Sequence, residues 1–561
     1  MNKYILGLSV LAVGLASCSD EWDNHYKAVE QGEGSLWEVI SAQSDLTNFA
    51  KLLKATDFDR SLNSAQVFTV FAPNNTAFTA QECDSLIEVY NQQVARGVKK
   101  DENTVVKEYV QNHIALYNYS VSADTNDSIR MMNYKYQVLG SKDLSGVQYE
   151  NSNLLCRNGV LFKLENKLHY LPNIYECVKT EAGLDSVASF FNKYEYYYFS
   201  EEESVPGGIE NGKTVYLDSV LYLSNYILNF LNCPISAEDS SYTVLLPDND
   251  VWKAEVEKHQ SHFVYDKTVV GRDSLSYLYP RLQILDGTIY SRSNNPVNKR
   301  DDQMVSQFSR MYMTSSQRSL YKYPEGGFYY RWNKGEGVES IWNIFFNNES
   351  EQVPCSNGTI YKKSGTWNPL LADLWMDNAE INQEAEYVYS LDSVYTKVTR
   401  PLTRVRVSSD NPYYSSVSEH EYVEISPTAA SQTKSLFNVY NVLSNVDYDI
   451  YVVTVPPVAG DTLAKKVCNN FRLTLLWNDI EGVQQEQSFP EDDSDFYTCD
   501  SVFVKYNYVG TMSFPTCSFG LDKAQVKVLV EGYTRPALVK AGTHSTTTRI
   551  DKFVFIPRKK D

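Results

Sequence analysis

The sequence predicts an α+β fold: two helix-and-strand domains, the second divergent and carrying an insertion, followed by an all-β sandwich of jelly-roll type. Three observations carry this expectation. Short amphipathic helices leading to a strand that ends at a proline occur twice in the first two thirds of the chain. Each copy later returns in a strand opened by Asn-Gly, at Asn158-Gly159 and at Asn357-Gly358. Past about residue 380, helical periodicity gives way to short alternating segments separated by Pro, Gly and Asn turns.

At the N-terminus, Lys3 precedes an apolar stretch from Ile5 to Ala16. It is shorter than the roughly 20 residues that span a bilayer and has the length of a signal-peptide core. Leu15-Ala16-Ser17-Cys18 resembles a bacterial lipobox, and the acidic Ser19-Asp20-Glu21-Trp22-Asp23 resembles the surface-export signal of Bacteroidetes lipoproteins. These resemblances imply a signal peptide over 1–17 and lipidation of Cys18. They also imply an acylated linker over 18–34 and a lipid-anchored position at the exposed face of the outer membrane.

The first domain is expected over 35–175. Ser35 is placed to cap a helix, with Glu38 completing a capping box. Leu36, Val39 and Ile40, then Leu46, Phe49, Leu52 and Leu53, keep helical spacing, so two short helices are expected. Val67 to Phe71 is β-branched and aromatic and reads as a strand; Pro73 ends it, because proline cannot donate to a sheet ladder. Phe71 is expected in the core.

Val67 to Phe78, Tyr109-Val110-Gln111-Asn112-His113-Ile114 and Asn158 to Leu164 together resemble, in order, the signatures of the fasciclin (FAS1) domain. The chain departs from that pattern at Asn112, where the family has a Tyr, and at Phe162, where it has a His. The family's integrin-associated Tyr-His activity is therefore not carried over, and His113 is read as a core or turn histidine. A second copy is expected over 176–378: Gly183 to Phe191 forms its amphipathic helix, Tyr242 to Trp252 its strand, proline and Asn turn, and Ser356 to Lys363 its Asn-Gly strand. An insertion is expected between His259 and Asn347. It includes the aromatic run Phe328-Tyr329-Tyr330-Arg331-Trp332, from which Tyr329, Tyr330 and Trp332 are the candidate binding residues.

Over 379–561, strands are expected at 402–407, 448–455, 471–477, 501–506, 525–530 and 549–556, spaced as in a β-sandwich. The last of them loosely resembles the closing strand of galactose-binding-like jelly rolls.

The net charge of −19 disfavours nucleic acid and anionic glycans as partners. Forty-two tyrosines suit half-buried strands and can also stack on sugar faces. Apart from Cys18, eight cysteines are scattered without a CxxC, and buried thiols are the simpler expectation. Gly207 to Thr214 matches the phosphate-loop pattern, but an acidic loop precedes it and strand-like alternation follows, so nucleotide binding is not expected. Glu491 to Asp495 lacks the spacing of an EF-hand and reads as a solvated turn. No HExxH or GxSxG is present.

No catalytic residue, metal or cofactor is expected. The resemblances imply a non-catalytic binding or scaffolding lipoprotein. It would be an accessory of a TonB-dependent, SusC/SusD-like uptake complex or an adhesin, with membrane lipid, that complex, or a neutral glycan or peptide as partner. The alternative is a glycan hydrolase with its site in the β-rich third; a cleft with two carboxylates roughly 5–10 Å apart would favour it.

Overall fold

A computed structural model describes residues 32–210, 213–231, 233–285, 288–291, 350–367, 381–390, 402–427, 433–492 and 494–558, with short strands at 303–306, 320–322 and 328–331. The chain divides into two compact units, residues 1–172 and 173–561.

In the first unit, helices α1 (Leu36–Ala42), α2 (Thr47–Ala55) and α3 (Phe58–Leu62) precede β1 (Phe68–Pro73). The Ser35–Glu38 capping box forms as expected. After α4 (Ala80–Ala95) and a π-helical turn (Val105–Val110), strands β2 (Ile114–Ala115), β3 (Asn126–Arg130), β4 (Tyr136–Gly140), β5 (Asp143–Leu144), β6 (Val147–Cys156) and β7 (Gly159–Leu164) complete a sheet ordered β2-β1-β7-β6-β5-β4-β3. β1 and β7 are parallel and buried along their length, as the apolar runs in both require. Phe71 and Phe78 are fully buried, and Phe71 stacks on Phe162 at 4.9 Å between centroids.

The second unit repeats this plan. It starts with α5 (Ile174–Thr180), whose Asn173–Glu176 capping box matches that of α1, and α6 (Asp185–Asn192). A ribbon of β8 (Glu195–Glu210) and β9 (Lys213–Asn225) then intervenes before α7 (Tyr226–Phe230). β10 (Tyr242–Pro247) is followed by α8 (Asn249–Gln260), α9 (Arg272–Leu285) and β11 (Ile289–Ser291). Strands β12 (Gln303–Ser306), β13 (Leu320–Lys322) and β14 (Phe328–Arg331) extend the sheet beyond β11, and β15 (Ser350–Cys355) and β16 (Gly358–Lys363) close it on the other side. The pairing registers coincide: Phe68 faces Gly159 and Pro73 faces Leu164, as Tyr242 faces Gly358 and Pro247 faces Lys363.

Two expectations shift here. The residues from His259 to Ser291 are not inserted, since α9 and β11 stand where the first unit has its π-helical turn and β2. A second insertion, the β8–β9 ribbon, takes in Glu201 to Pro206, which had been read as a loop. Lys213 of the phosphate-loop pattern opens β9, so a strand and not a helix follows it.

The sandwich has two sheets. One is ordered β19-β20-β28-β22-β26, with β17 beside β28; the other is β18-β21-β27-β23-β24, with β25 beside β23. The strands are β17 (Ile381–Glu384), β18 (Tyr389–Ser390), β19 (Leu402–Arg406), β20 (Glu421–Ile425), β21 (Lys434–Val439), β22 (Asp447–Thr454), β23 (Asn470–Asn478), β24 (Gln484–Phe489), β25 (Tyr497–Thr498), β26 (Lys505–Ser513), β27 (Val526–Gly532) and β28 (Thr548–Pro557). The expected strand at 501–506 begins only at Lys505, because Asp500 turns the chain first by accepting from the Val502 and Phe503 N–H groups.

The core between the sheets contains Phe437, Tyr448, Phe471, Phe553 and Phe555, and also Phe263 and Tyr265 from the link between α8 and α9. The Val264 carbonyl accepts from Cys517 N–H at 2.7 Å, and its N–H donates to Ser444 Oγ at 3.0 Å. The second repeat and the sandwich thus share one unit. Cys468 and Cys499 form a disulfide, which corrects the expectation of reduced thiols at these two positions; Cys83, Cys156, Cys177, Cys233, Cys355 and Cys517 are buried thiols.

Candidate ligand-binding face

On β26 the sequence Lys505-Tyr506-Asn507-Tyr508 alternates, so the strand pleat sends both tyrosine rings to the outer face while Asn507 is buried. Tyr508 pairs with Tyr451 of β22, and the rings are 5.3 Å apart; Tyr506 lies 6.5 Å from Tyr451. Tyr506 and Tyr508 remain 56% and 48% exposed, which leaves their rings open to a ligand. At the end of this row, Asp449 accepts from Arg558 Nε at 2.9 Å through both oxygens, and from Thr511 and Tyr508 hydroxyls. Burial opposes ionisation of Asp449, but the Arg558, Thr511 and Tyr508 hydrogen bonds outweigh it and hold its carboxyl below the usual range. The arrangement is a row of aromatic faces with one fixed ion pair at its rim.

A second cluster lies where β17 and the short helix Ala385–Val388 meet β28. Asp551 and Glu386 are 1% and 2% exposed, too deep for a substrate to reach. Asp551 accepts the Ser418 N–H at 3.1 Å, and Glu384 accepts the Ser418 hydroxyl at 2.8 Å. Neither carboxyl oxygen of Glu386 finds a partner on another described residue. Burial, reinforced by the neighbouring carboxylates, pushes Asp551 up to about 8 and Glu386 up to about 7; burial also raises Glu384. Burial thus favours the protonated form of each carboxyl in the cluster. Among the described residues, no group of three or more His, Cys, Asp or Glu is set to hold a metal ion.

In the first unit His113 is fully buried. Its Nδ1 lies 2.7 Å from the Tyr109 carbonyl, and its Nε2 accepts from the Leu168 N–H at 3.0 Å. Burial lowers it to about 4, so it is neutral and ties the chain leaving β7 to the turn before β2. Beside it a groove of about 540 Å³ is lined by Glu82, Glu108, Tyr109, Lys167, His169 and Tyr170.

Residues 44–166 match the family model of the fasciclin domain. The matched segment contains the parallel β1–β7 pair and His113. No curated protein matches the chain. Among solved structures, the FAS1 domain pair of the insect cell adhesion molecule Fasciclin I is similar at 11% identity, covering 58% of this chain and 98% of that one, with a TM-score of 0.18. A C-terminal family 22 carbohydrate-binding module of Clostridium thermocellum Xyn10B is similar at 16% identity over 31% of this chain and 91% of that one, with a TM-score of 0.18. A family 35 carbohydrate-binding module from Clostridium thermocellum is similar at 14% identity over 31% and 97%, with a TM-score of 0.15. Scores this low assign no function to this chain.

Of the residues singled out in the sequence, Tyr329 and Tyr330 fall in β14 with their side chains outside the described residues. Trp332 and Cys18 lie outside the described residues altogether. The Tyr506–Tyr508 alternation is visible in the sequence, but which of its two faces meets solvent is set by the face of the sheet that the second sheet covers. In the acidic run, Asp492 accepts from the Ser494 N–H and hydroxyl, which makes a local turn.

Proposed function

We propose that this chain is a non-catalytic binding protein of the cell surface, tethered through a lipidated Cys18. Its sandwich grips a neutral glycan across Tyr451, Tyr506 and Tyr508. The observation that carries this reading is the co-facial, exposed tyrosine row beside the Asp449–Arg558 pair. Tyrosine offers a large rigid contact area at low entropic cost, and its hydroxyl can bond a sugar hydroxyl while its ring stacks on the sugar face. The net charge of −19 favours an uncharged ligand. Arg558 is committed to Asp449 and orients the rim rather than attracting anions. In the cell the protein would serve a TonB-dependent, SusC/SusD-like uptake complex or adhesion. The hydrolase alternative has one supporting feature, the neighbouring carboxyls of Glu386 and Asp551, which burial raises, but that burial argues for a structural role.

The test is isothermal titration of the acyl-free ectodomain against neutral polysaccharides, with Tyr508→Ala and Tyr506→Ala beside the parent. Saturable binding weakened about tenfold or more by each change, without sugar release, is expected. Binding that both variants retain in full would remove the site from this face. Products lost on changing Asp551 or Glu386 would make the protein an enzyme.

A further inference from the structure

We propose that Cys177 and Cys355 close a second disulfide, pinning the first helix of the second fasciclin-like repeat to the turn between its last two strands. Both are reduced thiols in this structure, buried in one apolar cluster with their side chains close enough to interact. The backbone around them is already fixed: Asn357, two residues after Cys355, accepts the Ile174 N–H at 2.9 Å, and Cys177 follows one turn along the same helix. The first repeat gives the comparison. Cys156 stands two residues before Asn158, as Cys355 stands before Asn357, but Val39 occupies the place of Cys177 relative to the helix cap. The apolar packing needs no thiol there, and only the second repeat brings two together. The chain already carries one disulfide, Cys468–Cys499, so it makes such bonds.

The chemistry is exchange with a disulfide donor, either oxidised glutathione or an oxidised dithiol protein. Cys177 thiolate attacks one donor sulfur, and the other leaves as a thiolate. Cys355 thiolate then attacks the Cys177 sulfur of the mixed disulfide and expels the second donor sulfur. Two protein thiols are oxidised, the donor disulfide is reduced to two thiols, and the two protons pass to them. Because both thiols are buried, the exchange belongs to folding, before the helix packs.

The test refolds the reduced full mature chain in a mixture of reduced and oxidised glutathione. The product is alkylated in denaturant, digested and mapped by mass spectrometry. A linked peptide pair containing Cys177 and Cys355, two hydrogens lighter than the reduced pair, is expected. Both residues alkylated in a sample whose Cys468 and Cys499 are linked would overturn the proposal. In parallel, Cys177→Val restores the side chain of the first repeat. The oxidised parent should melt several degrees above it, and reductant should erase the gap. A gap unchanged by reductant would assign the effect to packing and sink the bond. If the variant does not fold, the peptide map of the parent alone decides.

Discussion

At Asn158 and at Asn357 one side chain serves three backbone groups. Asn158 Oδ1 accepts the Leu36 N–H at 2.8 Å, and its Nδ2 donates to the carbonyls of Leu62 and Ser64 at 2.9 and 2.8 Å. Asn357 does the same with Ile174 N–H and the carbonyls of Ile235 and Ala237, each at 2.9 Å. The glycine after each asparagine has φ near +150° (+150° and +147°), and a Cβ there would sit 1.9 Å from the carbonyl oxygen of Phe68 or Tyr242. Asn158→Ala would leave two buried groups, the Leu36 N–H and the Leu62 carbonyl, without this partner and should cost on the order of 2–3 kcal/mol, read as a lower denaturation midpoint of the first unit. A midpoint equal to that of the parent would show that water replaces the amide. His113 gives a pH signature. Its pKa is depressed from 6.5 to about 4 in the folded state, so the unfolded chain binds the proton first as pH falls. Stability should be intact above about pH 6.5 and fall by on the order of 3 kcal/mol towards pH 4. Denaturant titrations of His113→Gln should show a flatter slope over that interval; an unchanged slope would exclude His113 as the source.

At the scale of the element, β28 and the short helix Ala385–Val388 carry the opposite dependence. Asp551, at about 8, and Glu386, at about 7, hold protons in the folded protein that they lose in the unfolded chain above about pH 4. The stability they contribute is complete below that pH and is lost as pH rises to about 8. Asp551→Asn keeps an acceptor for the Ser418 N–H and removes the titration. At pH 8 this variant should unfold at a higher denaturant concentration than the parent, and the gap should close at pH 4. A constant gap across the range would show that Asp551 does not titrate in it. β26 belongs to the same sheet, and Tyr506 and Tyr508 lie on its face turned away from the second sheet.

For the molecule as a whole, the two units have different requirements. Residues 32–172 have complete cores of their own, so this fragment should melt in one cooperative transition. A fragment of 173–378 would expose Phe263 and Tyr265, which are buried against Phe519 and its neighbours in the sandwich. It should show broad, non-cooperative melting by circular dichroism and bind a hydrophobic dye, whereas 173–561 should melt sharply. Cooperative unfolding of 173–378 alone would contradict a shared core.

Local rules were enough to read the capping box at Ser35, the strand ending at Pro73, the buried Phe71, the Asn-Gly turns of both repeats and most sandwich strands. Each depends on neighbours within a few residues or on a short period. The tertiary structure decided what depends on partners distant in the chain. It paired Cys468 with Cys499 and brought the thiols of Cys177 and Cys355 together. It placed Phe263 in the sandwich rather than in its own repeat, and moved the insertion boundaries. It also sorted the tyrosines, since strand alternation puts Tyr448 and Tyr508 on defined faces but cannot say which face another sheet will cover. Tyr448 became core and Tyr508 remained at the surface because only one face of their sheet meets the second sheet.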